Sequence, residues 1–159
     1  MVRHVDFRTA RTIIELGPGD GAITEHILQE MRPDAVLLAF EVSEGFVRLL
    51  RERFTDPRLY VIPDGAEHLR HHLREHQIKQ VDAVISAIPF LNLPAALLQR
   101  ITHQCLAHLR SGGKFVQFHY SPHPVGRYRT IFGNARINFI PVNFPPAFVI
   151  VCEKKSKRD

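Results

Sequence analysis

A β-branched apolar run, Thr12–Leu16, leads straight into Gly17-Pro18-Gly19-Asp20-Gly21-Ala22, and a segment of helical period follows. Three glycines in five residues, set between a strand and a helix, form a tight turn. Its backbone can approach closely whatever sits above the edge of a sheet. An opening of this kind commits a chain to alternating strands and helices, and the rest of the sequence keeps to that rhythm. Asp20–Met31 carries Ile23, Ile27, Leu28 and Met31 at helical spacing. Ala35–Glu41 is an apolar strand that ends on an acid. Ser43–Phe54 is an amphipathic helix with Phe46, Val47, Leu50 and Phe54 on one face, and Arg58–Ile62 is a short strand. Ala66–His76 is expected to be one helix with Ala66, Leu69 and Leu73 inward, and Val81–Ala87 a buried strand. Leu93–Leu109 is a long helix whose stop signal is Ser111-Gly112-Gly113. Lys114–Tyr120 is a strand, and Val125–Phe132 is a short helix opened by Pro124. Ala135–Val142 and Ala147–Glu153 are strands joined across Asn143-Phe144-Pro145-Pro146.

Continuous apolar strands between helices indicate a sheet covered on both faces. The last two strands have a connection too short for a parallel crossover, so they run antiparallel. The expected fold is α/β: a seven-stranded, mostly parallel sheet with an antiparallel last strand and helices on both faces. A length of 159 residues fits one domain, 1–159, with its core at about 12–153 and a basic tail at 154–159. Such a chain buries about two-thirds of its unfolded surface and needs no disulfide or metal staple. Cys105 and Cys152 stand far apart and outside any Cys-x-x-Cys pattern, which leaves a zinc ribbon unsupported and a reducing compartment as the expectation. No apolar leader opens the chain, and the stretch Val81–Leu98 is interrupted by Asp82, Pro89, Asn92 and Pro94.

The glycine turn admits two kinds of ligand. As Gly17-x-Gly19-x-x-Ala22 it is a dinucleotide fingerprint, which would seat a diphosphate on the helix N-terminus. Asp20 occupies that place, however, and Glu15 adds a second negative charge just before the turn. A ligand without phosphate and with a positive charge suits these residues better. S-adenosylmethionine, with an ammonium, a sulfonium, a ribose and an adenine, is such a ligand. Glu41 closes the second strand where an acid grips ribose hydroxyls, and Val42 follows it.

With these residues in place, the chain resembles the class I, Rossmann-like, S-adenosylmethionine-dependent methyltransferases. Glu15–Gly21 resembles their first motif and Glu41 the acid after their second strand. Asp64-Gly65-Ala66 resembles the segment whose acid and amide hold the adenine edge. Ser86–Phe90 resembles the fourth motif, at the mouth of the active site. The resemblance implies cofactor contacts from Glu15, Gly17, Gly19, Asp20, Gly21, Glu41, Val42, Asp64, Gly65, Ala66 and Ser86. Three further segments are similar to the bacterial phospholipid N-methyltransferases, themselves akin to ribosomal RNA adenine dimethylases. They are Ser86-Ala87-Ile88-Pro89-Phe90-Leu91-Asn92-Leu93-Pro94, Gln117-Phe118-His119-Tyr120-Ser121-Pro122 and Asn143-Phe144-Pro145-Pro146-Ala147. The adenine dimethylases carry Asn-Leu-Pro-Tyr or Asn-Leu-Pro-Phe in the fourth motif, and their Asn accepts from the amine of the target base. Here Ala87 stands at that place.

The resemblance therefore implies N-methylation of a phosphatidylethanolamine headgroup. His119 and Tyr120 are the candidate proton carriers, one facing the cofactor and the other the sheet. Phe90 and Tyr120 are candidates to hold the methylated ammonium by cation–π contact. An RNA adenine-N6 methyltransferase is the alternative, supported by a net charge of +5 and opposed by Ala87. A cofactor-binding core without its substrate cap is the non-enzyme alternative. Only eleven residues precede Thr12, where the lipid enzymes carry a capping segment. The expected site is cytoplasmic, at an anionic inner membrane face. Arg127, Arg129 and Arg136 are expected beside the active-site edge, and Lys154-Lys155-Ser156-Lys157-Arg158 forms a basic tail. No metal is expected. His68, His72 and His76, with His71 beside them, are read as a solvated helix face rather than a ligand set.

Overall fold

The computed structural model describes residues 1–141 and 145–156. In chain order the elements are β1 (Thr12–Leu16), α1 (Ala22–Glu30), β2 (Val36–Phe40), α2 (Glu44–Arg53), β3 (Leu59–Ile62), α3 (Leu69–Glu75), β4 (Val81–Ser86), α4 (Ala95–His108), β5 (Leu109–His119), α5 (Val125–Phe132), β6 (Arg136–Ile140) and β7 (Ala147–Glu153). The seven strands form one sheet in the order β3-β2-β1-β4-β5-β7-β6. β1 to β5 run parallel, while β7 lies antiparallel between β5 and β6. The chain leaves β1 in one direction towards β3, then returns to place β4 on β1's other side. That reversal opens a crevice above the carboxyl ends of β1 and β4, where open α/β sheets take their ligands.

The strands have apolar side chains on both faces because both faces are covered. Ile14, Leu38, Val84, Phe115 and Ile150 pack with Leu69 and Leu73 of α3, Leu98 and Ile101 of α4, and Tyr128 and Phe132 of α5. On the other face Ile13, Leu37, Ile85, Val116 and Val149 pack with Ile27 and Leu28 of α1 and with Val5 and Phe7. At the amino end of the strands, Asp82 Oδ2 accepts from the amides of Arg11 and Thr12, and Oδ1 accepts from Arg110. One carboxylate thus ties β1, β4 and β5 together. Arg58, at the start of β3, donates to the carbonyls of Leu28 and Met31 and closes the C-terminus of α1.

Four expectations need correction. α4 ends at His108, but Ser111-Gly112-Gly113 is not its stop: it lies inside β5, where the pairing with β4 shifts between Val81 and Ala83. The backbone there bulges at Gly112, whose φ is +74°. Tyr120 falls just beyond β5. Ala66–His76 is not one helix. A single 3-10 turn, Ala66–His68, precedes α3, Leu69–Glu75. Phe46 is exposed, because α2 turns only Val47 and Leu50 fully inward. The expected strand end Val142, the linker residues Asn143 and Phe144, and Lys157, Arg158 and Asp159 lie outside the described residues.

Candidate active site

The glycine turn is built as its sequence demands. Gly17, Gly19 and Gly21 have φ of +70°, +57° and +87°, which side-chain-bearing residues rarely adopt. A Cβ on Gly21 would stand 2.5 Å from the Phe54 ring, and one on Gly17 would stand 3.0 Å from the Ile88 side chain. A Cβ on Gly19 would meet nothing within 4 Å, so the middle of the turn faces open space. That is the cradle a ligand needs. Ala87 N–H donates to the carbonyl of Leu16 at 2.9 Å, joining the turn to the segment after β4.

Carboxylates surround the turn. Glu15 is buried behind it, and Thr24 of α1 donates to its Oε2 at 2.7 Å. Glu15 Oε1 is buried without a partner among the described residues. Burial is the main cause that pushes the Glu15 carboxyl up to about 7, and the nearby Glu41 pushes in the same direction. A cationic group of a ligand would relieve both. Glu41 accepts from Gly19 N–H through Oε2 at 3.1 Å and from Ser43 N–H through Oε1 at 2.9 Å. The acid after β2 therefore braces the turn, and each oxygen keeps a second lone pair for a hydroxyl. Asp20 is exposed and accepts from Ala22 N–H, the first amide of α1. Val42, 76% exposed, offers an apolar surface beside Glu41.

Asp64 follows β3 on the same rim. Its Oδ1 accepts from Gly65 N–H at 2.7 Å and lies 2.9 Å from His68 Nδ1; its Oδ2 lies 2.9 Å from His72 Nε2. Hydrogen bonds from the two histidines, His68 first, hold Asp64 down to about 2. One lone pair on Oδ2 remains for an outside donor such as an exocyclic amine. Gly65 spends its amide on Asp64, so the amide left for a ligand is that of Ala66, the first of the 3-10 turn. His68 and His72 thus clamp Asp64, while His71 stays on the solvated face beside Glu75. His72 is half-buried and also reaches Glu75 through Nδ1 at 3.0 Å. Among the described residues no group of three or more His, Cys, Asp or Glu side chains is arranged to hold a metal.

Beside the turn lies a cleft of about 420 Å³, lined by Ile23, Ala87, Pro89, Leu91, Phe118 and Tyr120, with Asn92, His119 and Ser121 as its polar groups. Successive residues of β5 alternate across the sheet, which separates the two expected proton carriers. His119 turns inward, is buried, and lies with Nε2 2.9 Å from Tyr128 Oη of α5. Burial pushes its imidazole down to about 4. Tyr120 is 62% exposed and packs edge-on against Phe118, with ring centroids 4.9 Å apart. Leu91 is 60% exposed beside it.

Three sequence-based assignments fail here. Phe90 is buried, with its ring stacked on Phe115 at 6.4 Å, so it belongs to the core and not to an ammonium cage. The 3-10 turn Phe90–Asn92 rotates Leu91 outward in its place. Ser86 is fully buried. It does not line the cleft, and its Oγ has no hydrogen-bond partner among the described residues. Arg136 starts β6 at the far end of the sheet, beside Lys114 and Lys155, while Arg127 and Arg129 are exposed on α5.

The sequence reading also passed over residues that matter. Gln117 Nε2 donates to the carbonyls of Ile88 and Phe118, which fixes the Ala87–Pro89 segment against β5. A buried amide in an otherwise apolar strand was the available signal. Arg53 donates to the Asp20 carbonyl at 2.7 Å and ties α2 to the glycine turn. Tyr128, not singled out in the sequence, partners His119.

Comparisons with known proteins agree with this geometry. Residues 13–113 match the family model described as a methyltransferase domain. An ornithine lipid N-methyltransferase from Singulisphaera acidiphila is 35% identical over 156 residues, which span 95% of this chain and 80% of that protein. A ribosomal RNA small subunit methyltransferase A from Parasynechococcus marenigrum is 32% identical over 102 residues, covering 64% of this chain and 32% of that protein. Among solved structures, a methyltransferase from Streptococcus mutans in complex with SAH superposes with a TM-score of 0.67 at 17% identity, covering 90% of this chain and 88% of that one.

Proposed function

The chain belongs to the class I S-adenosylmethionine-dependent methyltransferases, and from that premise we propose that it methylates the primary amine of a lipid headgroup. Its cofactor is S-adenosylmethionine, which when bound supplies a methyl group already activated by the sulfonium. The residues around the glycine turn fit that ligand: the buried, unpartnered Glu15 Oε1 awaits a cation, and the carboxylates leave no place for a diphosphate. We assign the ribose to Glu41, the adenine edge to Asp64 and the Ala66 amide, the adenine face to Val42, and the close backbone approach to Gly17, Gly19 and Gly21, with Asp20 capping the helix beneath.

The observation that carries the acceptor class is the cleft's lining. Ala87 stands where an adenine methylase places a polar side chain, and the walls are Ile23, Pro89, Leu91, Phe118 and Tyr120. Apolar walls disfavour an ammonium and favour the neutral amine, the only form able to attack a methyl group. The cleft thus does much of the deprotonation by desolvation. Tyr120, at the open side, holds the product ammonium against its ring. Phosphatidylethanolamine is the acceptor that the resemblance of motifs favours. The name of the Singulisphaera relative adds an ornithine lipid of the same amine chemistry. Among the described residues no helix is long and apolar enough to cross a membrane. The exposed Leu91 and Tyr120 lie at the open side of the cleft, where a headgroup would enter.

A second reading, RNA adenine methylation, is favoured by the net charge of +5 and by the ribosomal RNA relative. It lacks a side chain at position 87 to polarise the base. Mass spectrometry of vesicles separates the two. Incubation with S-adenosylmethionine should add methyl masses to phosphatidylethanolamine or ornithine lipid and leave soluble phosphoethanolamine unchanged. Unmodified lipid beside modified adenine in RNA would overturn the lipid reading.

A further inference from the structure

The proton chemistry expected of His119 does not suit its surroundings. Its Nε2 faces the Tyr128 hydroxyl at 2.9 Å, and both residues are buried. The hydroxyl has one hydrogen and no other partner among the described residues. If Nε2 carried the ring proton and donated to Tyr128, the buried hydroxyl hydrogen would have nothing to bond. Buried donors left unpaired are costly. The arrangement that satisfies both groups has Tyr128 donating to Nε2. A neutral ring then carries its proton on Nδ1. Nδ1 has no hydrogen-bond partner among the described residues, and His119 lines the cleft.

We propose that His119 is a fixed hydrogen-bond donor that recognises an oxygen of the acceptor next to its amine, and that Tyr128 is the positioning residue that locks the ring in this tautomer. The inference deepens the lipid-amine reading and rests on it for the identity of the oxygen. A phosphodiester oxygen and a carboxylate or amide oxygen share the chemistry required: an acceptor a few atoms from the nitrogen to be methylated. Adenine N1, next to the exocyclic amine of a base, is a nitrogen acceptor and would be an outcome against this assignment.

Three features support a donor over a base. Burial pushes the His119 imidazole down to about 4. An alkylammonium in water lies near 10, well above this ring, so proton transfer from it to His119 is uphill. Tyr128 is itself pushed up by its burial, so it keeps its hydrogen and remains a donor to Nε2. Among the described residues no carboxylate faces the pair: the titratable groups near Tyr128 are Cys152, Arg127 and Cys105, and the rings that pack around it are Phe115 and His119. The amine loses its proton by desolvation and to water, while His119 sets where the headgroup sits.

The test joins a spectroscopic readout to a pair of variants. Protein labelled with ¹⁵N-histidine should show His119 with Nδ1 protonated and Nε2 unprotonated, unchanged from pH 5.5 to 8. Tyr128→Phe should convert this to a mixture of tautomers while thermal unfolding stays cooperative. His119→Asn keeps an N–H near the place of Nδ1, whereas His119→Leu removes it. His119→Asn should stay within about tenfold of wild type in kcat/KM, and His119→Leu should fall about a hundredfold, chiefly through KM. A protonated Nε2 in the wild-type spectrum would overturn the proposal. So would equal loss of kcat in both variants, as expected of a base. The spectrum needs no acceptor, so if no lipid is methylated the function reading fails while the tautomer is still decided.

Discussion

Over β1, β2 and β3 the carboxyl rim of the sheet carries four carboxylates, Glu15, Asp20, Glu41 and Asp64. Over β4 and β5 it carries none and presents Ala87, Pro89, Leu91, Phe118 and Tyr120. The two halves touch where a Cβ on Gly17 would meet Ile88. The contrast suits the roles proposed for the two halves. In the proposed reaction one holds a permanent cation, which needs charge of opposite sign. The other strips a proton from an amine, which needs the absence of charge. The same division holds for the histidines. His68 and His72 clamp Asp64 on the acidic side, while His119 is paired with a neutral hydroxyl.

The largest contrast is expected between two glycines. Gly21→Ala sets a Cβ 2.5 Å from Phe54 at φ +87°. It should cost about 2–4 kcal/mol of stability and with it most cofactor binding. Gly126→Ala, on the acceptor side in α5, meets nothing within 4 Å and should gain up to about 1 kcal/mol from helix propensity. Urea unfolding measures both, and equal effects would break the asymmetry. Next comes Glu15. Its folded carboxyl is raised from 4.5 to about 7, so the favourable contribution of the protonated form is fully present below 4.5 and lost as pH rises through 7. Glu15→Gln should remove that pH dependence, worth about 3 kcal/mol, and weaken cofactor binding. Calorimetry in two buffers at pH 6 should show the wild type, and not the variant, releasing a proton when S-adenosylmethionine binds.

A pair of side-chain changes sharpens the contrast. Tyr120→Ala, which removes the ring, should lower turnover about tenfold with cofactor affinity unchanged, whereas Asp64→Asn should weaken cofactor affinity about tenfold and move turnover less. Isothermal titration beside steady-state kinetics separates them, and loss of cofactor affinity in Tyr120→Ala would refute the assignment. The smallest effect belongs to surface charge. Arg127→Ala or Arg129→Ala should each weaken binding to anionic vesicles by about 1 kcal/mol, and high salt should abolish the difference. Retention on vesicles at high salt would argue against an electrostatic contribution.

The acidic half was largely legible in the sequence, and the acceptor half was not. Gly17, Gly19, Gly21 and Glu41 are close in sequence, and their roles follow from backbone geometry at one turn. The antiparallel end of the sheet was likewise fixed by the short link between β6 and β7. The acceptor half depends on which way a side chain turns after a strand ends. Phe90 and Leu91 exchange inside and outside through one 3-10 turn, and Tyr120 escapes β5 by a single residue. Periodicity has no purchase on such steps. The Asp64 clamp was hidden because Asp64 lies before the helical segment, so the spacing of His68 and His72 does not disclose their shared partner. Tyr128 gave no signal, because a buried helix aromatic is ordinarily core.

One experiment bears on the whole division of labour. Methyl-labelled S-adenosylmethionine is incubated with the protein, mixed vesicles containing phosphatidylethanolamine and ornithine lipid, and total RNA, and the organic and aqueous phases are then separated. An apolar, uncharged acceptor half predicts label in the lipid phase, lost in His119→Leu. Label confined to RNA would contradict it and make the basic surface, not the cleft, the guide to the acceptor.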